Sequence, residues 1–147
     1  MAIDSRSAKN ISTLHPKLQP VATELIELAG AKGINVKVIC GTRTYAEQNK
    51  LYAQGRTKPG NVVTKARGGE SIHNFGLAFD IGIFSADDKT YHGEHRDYKV
   101  VGLIGQQLGL EWGGNWKFVD EPHFQLKHGK SLAQLRECVA SNKDVLS

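Results

Sequence analysis

The stretch that decides the fold reads Ser71-Ile72-His73-Asn74-Phe75-Gly76-Leu77-Ala78-Phe79-Asp80-Ile81-Gly82-Ile83-Phe84. From residue 77 onward its side chains alternate, with bulky apolar residues on one face and Asp80 between Ala78 and Gly82 on the other. A period of two predicts a strand over 77–84 whose apolar face packs on the core. Asp80 is therefore expected on the opposite face, close in sequence to His73.

The same alternation returns further along the chain, in the segment Asp120-Glu121-Pro122-His123-Phe124-Gln125-Leu126. Phe124 and Leu126 fall on one face and His123 and Gln125 on the other, which predicts a strand over 122–126. Pro122 also argues against a helix at His123. Both predicted strands thus carry apolar side chains on one face and metal-type side chains on the other.

The rest of the sequence predicts four helices, one more strand and a loop. A β-rich run predicts a strand over 36–40, and residues 56–69, rich in Gly, Lys, Thr and Pro, predict a long surface loop. Apolar residues at helical spacing predict four helices. They are helix 16–30, helix 46–54, a helix containing Val101, Ile104 and Leu108, and a helix containing Leu132, Leu135 and Val139.

Length, charge and cysteine content exclude several classes of protein. The 147 residues predict one domain, 1–147. The net charge of +4 comes from scattered lysines and arginines, so no nucleic-acid partner is expected. No apolar run is long enough for a signal peptide or a membrane span, which predicts a cytosolic protein without membrane insertion. Cys40 and Cys138 are predicted to be buried free thiols rather than a disulfide.

The histidines and carboxylates of the two strand segments can form a hydrolytic metal site. His73, Asp80 and His123 offer two imidazoles and a carboxylate, and Asp120 is a spare carboxylate three positions before the last histidine. Three protein ligands leave one coordination position free, and a metal beside a carboxylate can activate water. A single histidine is more often a hydrogen-bonded structural residue, and this spacing lacks the geometric check of a helical H-E-x-x-H motif. Spacing alone therefore leaves both interpretations open.

Three other features have two interpretations each. His92 and His95 resemble a second metal site, but their polar, aperiodic segment favours a solvated loop. Trp112 and Trp116 either stack on sugar rings or pack in the core. The basic residues of the loop 56–69 form either a cationic flap that captures an anionic substrate or a solvated surface; they include Lys58, Lys65 and Arg67.

The motif Ser71-x-His73-x-x-Gly76-x-Ala78-x-Asp80, with Asp120-x-Pro122-His123-Phe124, resembles the two signatures of a family of zinc peptidases. This is the D-alanyl-D-alanine carboxypeptidase/L-alanyl-D-glutamate endopeptidase family, and within it the chain most resembles bacteriophage endolysins of the L-alanyl-D-glutamate type. The similarity extends from about Gly41 to Gln125. It also includes the segments Gly41-Thr42-Arg43-Thr44, Glu47-Gln48, Leu51-Tyr52-Ala53-Gln54-Gly55-Arg56-Thr57-Lys58-Pro59-Gly60 and Leu110-Glu111-Trp112-Gly113-Gly114.

The resemblance implies a role for seven residues. It implies Zn²⁺ held by His73, Asp80 and His123. Asp120 would be the general base, with Glu121 as its rival because some members carry glutamate there. Arg43 would face the scissile carbonyl, although a lone arginine is otherwise more often part of a surface salt bridge. Ser71 and Gln48 would line the substrate cleft.

The resemblance also implies a fold and a biological role. The fold is α+β, with helices packed on one side of a mostly antiparallel sheet and zinc in a groove on the other. The order of predicted elements agrees, because it lacks the βαβ regularity of a parallel sheet. The expected protein is a monomeric phage endolysin without a separate cell-wall-binding domain. It would wait in the host cytoplasm until a pore protein releases it to the cell wall.

The expected reaction is hydrolysis of the L-alanyl-D-glutamate bond in peptidoglycan stem peptides, and a D-alanyl-D-alanine carboxypeptidase is the alternative within the family. Two other classes fit less well. A non-haem iron oxygenase also uses two histidines and a carboxylate, but with a His-x-Asp step in a barrel. A non-catalytic relative would not need Asp120 and Arg43.

Overall fold

The structure is a computed structural model that describes residues 3–146. All strand pairings are antiparallel, and the strands follow the order β1-β2-β5-β4, with β3 pairing β2 beside this path. The α+β class and the antiparallel sheet predicted from the sequence are confirmed. The strands are β1 (Asn35–Cys40), β2 (Ala78–Phe84), β3 (Tyr91–His92), β4 (Glu111–Trp112) and β5 (His123–Gln125).

The described residues contain five α-helices and two short 3-10 turns. The helices are α1 (Ser5–Ser12), α2 (Gln19–Ala31), α3 (Tyr45–Ala53), α4 (Asp97–Gln107) and α5 (Leu132–Ala140), and the 3-10 turns are Ile72–Phe75 and Gly113–Asn115. In this part of the chain no helix is long and apolar enough to cross a membrane.

The main core lies on the face of the sheet that the alternating pattern predicts. Phe79 and Ile81 of β2 and Phe124 of β5 are fully buried there, together with apolar residues of α1, α2 and α4. Two glycines of α4 permit close packing. A Cβ at Gly102 would lie 2.3 Å from the Trp112 ring, and one at Gly105 would lie 2.4 Å from the Phe124 ring. Helix α5 packs instead in a second, smaller cluster around Leu77 and Leu135, beside the first 3-10 turn.

Helix α1 is absent from the sequence prediction. The side chain of Asp4 caps it by accepting from Ser7 N, and only Ser7 and Ile11 are buried, so its sequence offers one large apolar residue and no repeating apolar stripe. The helix lies beside β1: Val38 N–H donates to Ser7 Oγ at 2.9 Å, and Asn10 Nδ2 donates to Val38 O at 2.8 Å. Tertiary contacts rather than a local pattern hold it in place.

The order of the other elements agrees with the sequence prediction, with shifts of a few residues at their ends. The strands β3 and β4 were missed because two residues cannot display a period. The predicted loop 56–69 contains no helix or named strand, and only Lys58 in it forms an isolated bridge, with Gln54. Cys40 and Cys138 are free, as predicted, but both are half-buried.

Candidate metal centre and active site

Two histidines converge on one oxygen of Asp80. His73 Nε2 lies 3.3 Å and His123 Nδ1 3.2 Å from Asp80 Oδ1, and the two rings are 5.1 Å apart between centroids. Asp80 on β2 pairs directly with His123 on β5, so the sheet register itself places these two side chains together. The structure thus brings together the three residues that the sequence singled out as metal ligands.

The first 3-10 turn positions His73. Ser71 Oγ accepts from His73 N, and Asn74 Oδ1 accepts from Ser71 N, which closes a capping box at the start of the turn. His73 Nδ1 lies 2.9 Å from the Gly41 carbonyl oxygen, which can only accept, so Nδ1 carries the proton. In the neutral ring, the nitrogen left to bind a metal is therefore Nε2, which lies toward Asp80. Here the half-buried Ser71 hydroxyl caps the turn that carries His73.

Asp80 and His73 each shift the pKa of the other toward its charged form. Burial alone would raise the pKa of Asp80, but hydrogen bonds to His123 and His73 and the charges of both rings hold that pKa well below its usual range. Burial lowers the pKa of His73, whereas hydrogen bonds to Asp80 and Cys40 and their charges raise it to about 9. Without a metal, the site therefore holds an ionised carboxylate beside a protonated imidazole.

The donor set fits a metal ion. The described residues contain two groups of side chains whose metal-binding atoms lie within 4.8 Å of one another. One group is Cys40, His73 and Asp80, and the other is Asp80, Asp120 and His123. Two imidazole nitrogens and a carboxylate oxygen are typical of catalytic zinc sites. His73 and His123 are only 3 % and 8 % exposed, so a bound ion would be shielded on the protein side.

Asp120 lies at the rim of this centre. Its Oδ2 is 4.0 Å from His123 Nδ1, and its side chain is 52 % exposed. Partial burial and the negative charge of Asp80 raise its pKa above the ordinary carboxyl value. Its neighbour Glu121 lines a separate surface cavity beside Lys99 and Leu103, while its backbone carbonyl accepts from Trp112 Nε1.

Arg43 lies on the other side of Asp80. Its Nη2 is 3.7 Å from Asp80 Oδ2, and its Nη1 donates to Gln48 Oε1 at 2.9 Å. Its Nε donates to Cys40 Sγ at 3.4 Å. Three partners thus hold the guanidinium group beside the metal centre. The pKa of the Cys40 thiol is raised by burial but lowered more by its contacts with His73 and Arg43, so the net shift is downward.

Gln48 does not line an open cleft, contrary to the expectation from the resemblance. Its side chain is fully buried one turn into α3 and bridges two groups, accepting from Arg43 and donating from Nε2 to the Ala66 carbonyl at 3.0 Å. The buried amide thus connects Arg43 to the loop 56–69. Both polar ends of the buried amide have hydrogen-bond partners, which explains how a polar side chain is stable there.

The two tryptophans and the pair of histidines in the segment 92–95 lie in different surroundings. Trp112 is 8 % exposed and packs in the core, whereas Trp116 is 38 % exposed and lies 4.9 Å from His123 between ring centroids. His92 and His95 lie 5.3 Å apart between centroids, and His92 pairs with Ile83 at the end of β2 away from Asp80. Within residues 3–146 neither histidine belongs to a candidate metal set.

Two residues near the centre were not assigned a role from the sequence. Cys40 reaches the centre because the β1–β2 register shifts between Val38 and Cys40, which places Cys40 opposite Asp80. No sequence signal marks this bulge. Gln125 shares the face of His123, as the alternation predicted, and its Oε1 lies 2.7 Å from His123 Nε2.

Comparison with known proteins gives several matches. Residues 64–126 match the family model described as D-alanyl-D-alanine carboxypeptidase. The chain is 46% identical over 124 residues to the peptidoglycan L-alanyl-D-glutamate endopeptidase CwlK of Bacillus subtilis, covering 78% of this chain and 74% of that protein. It is 30% identical over 128 residues to the L-alanyl-D-glutamate peptidase of a Listeria phage, covering 84% of this chain and 42% of that protein.

Solved structures agree with these matches. The Serratia marcescens L-Ala D-Glu endopeptidase ChiX superposes with a TM-score of 0.60 at 27% identity, over 83% of this chain and 86% of that one. The vancomycin resistance D,D-pentapeptidase VanY in complex with Zn(II) superposes with a TM-score of 0.59 at 15% identity, over 90% and 82%, and shares the fold. The chain therefore belongs to the D-alanyl-D-alanine carboxypeptidase/L-alanyl-D-glutamate endopeptidase family of metallopeptidases.

Proposed function

We propose that this chain is a zinc endopeptidase that hydrolyses the L-alanyl-D-glutamate bond in the stem peptides of peptidoglycan. The observation that carries the proposal is the convergence of His73 Nε2 and His123 Nδ1 on Asp80 Oδ1, with Asp120 and Arg43 beside them. The substrate follows from the relatives in Bacillus subtilis and a Listeria phage, both described as L-alanyl-D-glutamate peptidases.

In this proposal His73, Asp80 and His123 hold the zinc. When bound, the ion would supply Lewis-acid chemistry, by polarising the scissile carbonyl and lowering the pKa of water. Asp120 accepts the proton of the attacking water and then delivers it to the leaving amine. Its raised pKa suits the first step, because a carboxylate with a higher pKa is a stronger base and takes the proton of the water more readily.

Arg43 would oppose the negative charge that develops on the carbonyl oxygen. Its guanidinium group is held by Gln48 and Cys40 before substrate arrives, so little reorganisation is needed during the reaction. The half-exposed ring of Trp116 would form one wall of the cleft beside His123.

Mass spectrometry of purified muropeptides after digestion tests the scissile bond. We expect fragments that end in L-alanine on the glycan side and new free amines on D-glutamate. Loss of only the terminal D-alanine would contradict the proposal and identify a D-alanyl-D-alanine carboxypeptidase. Elemental analysis should find one zinc per chain, and a chelator should abolish cleavage; iron in the site or full activity in excess chelator would overturn the zinc assignment.

We also propose that the cleavage lyses a host cell, as in a monomeric phage endolysin that waits in the host cytoplasm until a pore protein opens the membrane. The likeness to the Listeria phage peptidase supports this role. A wall enzyme of a bacterium is the second candidate, favoured by the higher identity to the Bacillus subtilis enzyme. Co-expression with a pore-forming protein should cause lysis that neither protein causes alone. Lysis independent of the pore would favour the second candidate.

A further inference from the structure

A row of polar side chains crosses the sheet on the face opposite the main core. Asp80 on β2 pairs with His123 on β5, and Gln125, two residues further along β5, pairs with Glu111 on β4. His123 Nε2 lies 2.7 Å from Gln125 Oε1, and Gln125 Nε2 donates to Glu111 Oε2 at 2.8 Å. The row connects the proposed zinc site to the edge strand β4.

Each hydrogen bond in this row has a direction set by its neighbour. The carboxylate oxygen of Glu111 accepts from Gln125 Nε2, so the NH₂ end of the Gln125 amide faces Glu111. The carbonyl end of Gln125 then faces His123 and can only accept, so Nε2 of that ring carries a proton. The ring nitrogen left to bind a metal is Nδ1, which is the one 3.2 Å from Asp80 Oδ1.

Burial makes this arrangement difficult to replace. His123 is 8 % exposed and Gln125 is 6 % exposed, so bulk water has little access to the hydrogen bond between them. Glu111 is exposed and holds the amide from the rim of the sheet. If the amide turned over, its NH₂ group would face Nε2–H and both donors would lose their acceptor, which is costly in a buried site.

We propose that Gln125 and Glu111 are positioning residues that fix the orientation and the protonated nitrogen of His123 for zinc binding. The inference rests on the proposed zinc site. Partners that bind the second nitrogen of a ligating histidine set its tautomer and ring orientation, and their removal typically lowers metal affinity about 10- to 100-fold.

Zinc affinity of the metal-free full chain, measured by competition with a zinc-binding dye, tests the proposal. Gln125→Leu removes the acceptor and should weaken zinc binding about 10- to 100-fold. Glu111→Gln keeps the shape but can donate as well as accept, so the Gln125 amide is free to turn over, and we expect a smaller loss, near the lower end of that range, about 10-fold. The control Glu27→Ala removes an exposed carboxylate from α2, with the same change in net charge, and should keep the parent affinity.

Two-bond ¹H–¹⁵N spectra of the zinc-loaded protein give a second readout. We expect the ring proton of His123 on Nε2 and that of His73 on Nδ1, with faster solvent exchange of the His123 proton in Glu111→Gln. If Gln125→Leu does not fold, Glu111→Gln decides, because Glu111 is exposed. Parent-like zinc affinity and proton exchange in Glu111→Gln would overturn this inference and leave the zinc peptidase intact. A parent protein that binds no zinc would overturn both.

Discussion

Asp120 and Glu121 are adjacent carboxylates with different surroundings. Asp120 faces His123, whereas Glu121 lines a separate cavity. We therefore expect Asp120→Asn to lower turnover about 100- to 10,000-fold, the usual contribution of a general base, with zinc still bound because the three ligands are unchanged. The measurements are the rate of muropeptide cleavage and the zinc content of the purified variant.

Glu121→Gln is the matched control for this substitution and should keep parent activity. An active Asp120→Asn protein beside an inactive, zinc-loaded Glu121→Gln protein would reverse the assignment. Loss of zinc from Asp120→Asn would instead indicate that Asp120 is a ligand, as its place in one candidate metal set allows.

Gln48 connects Arg43, the residue proposed to oppose the developing charge, to the loop 56–69, and two substitutions separate its contact with Arg43 from its contacts with the loop. Gln48→Met removes both, and we expect kcat/KM to fall about 10- to 100-fold because Arg43 loses its fixed position. Gln48→Glu keeps an acceptor for Arg43 but loses the donor to Ala66. It should retain most of the activity, while hydrogen exchange in the loop increases. Equal loss of activity in both variants would show that the loop contact, rather than the arginine contact, matters.

The loop 56–69 is partly fixed by stacking. The Arg56 guanidinium lies 3.9 Å and that of Arg67 5.0 Å from the centre of the Tyr52 ring, and Arg56 also donates to the Tyr52 and Thr64 carbonyls. These two cations hold the loop together. Lys58 and Lys65 are exposed, and Lys65 lies over the Phe118 ring at 5.6 Å.

The exposed lysines of the loop, rather than the stacked arginines, are therefore the residues that would form a cationic flap. Replacing Lys58 and Lys65 by glutamine should raise KM several-fold and reduce the sensitivity of KM to salt, because carboxylate-rich stem peptides are attracted by exposed charge. Initial rates at low and high ionic strength measure both effects. The exposed Lys32 at the end of α2 provides the control substitution Lys32→Gln. An unchanged salt dependence in the double variant would favour a loop that is merely solvated.

The elements that carry the candidate site were predictable where the local pattern was strong. β2 and β5 alternate, so the sequence shows that Asp80 and His123 lie on the faces away from the core. The pairing that places them opposite each other is a finding of the structure. The position of Cys40 depends on a bulge, which no local pattern encodes. The resemblance assigned Gln48 to the cleft, and the sequence gives no direction for a polar side chain near the start of a helix that could correct this. The burial of Gln48 depends on hydrogen bonds with Arg43 and Ala66, which a helical sequence pattern does not show.

At the scale of the whole molecule, zinc binding should be linked to protons. The pKa of His73 in the metal-free protein is about 9, so this ring is protonated at neutral pH and must lose its proton to bind zinc through Nε2. We expect release of about one proton per zinc at pH 7 and apparent zinc affinity that rises about tenfold per pH unit toward pH 9. Calorimetry in buffers of different ionisation enthalpy measures the release. Zinc binding without proton release would contradict the His73–Asp80 ion pair.

Helix α1 covers part of the outer edge of the sheet. β1 is an outermost strand of the sheet, and the backbone N–H and C=O of Val38 are bound by Ser7 and Asn10. Free strand edges act as templates for strands of other chains. A chain shortened by residues 1–12, or a Ser7→Ala/Asn10→Ala double variant, should therefore oligomerise or aggregate at concentrations where the parent stays dispersed, as light scattering would detect. Helix α1 would thus limit the pairing of β1 with a strand of another chain.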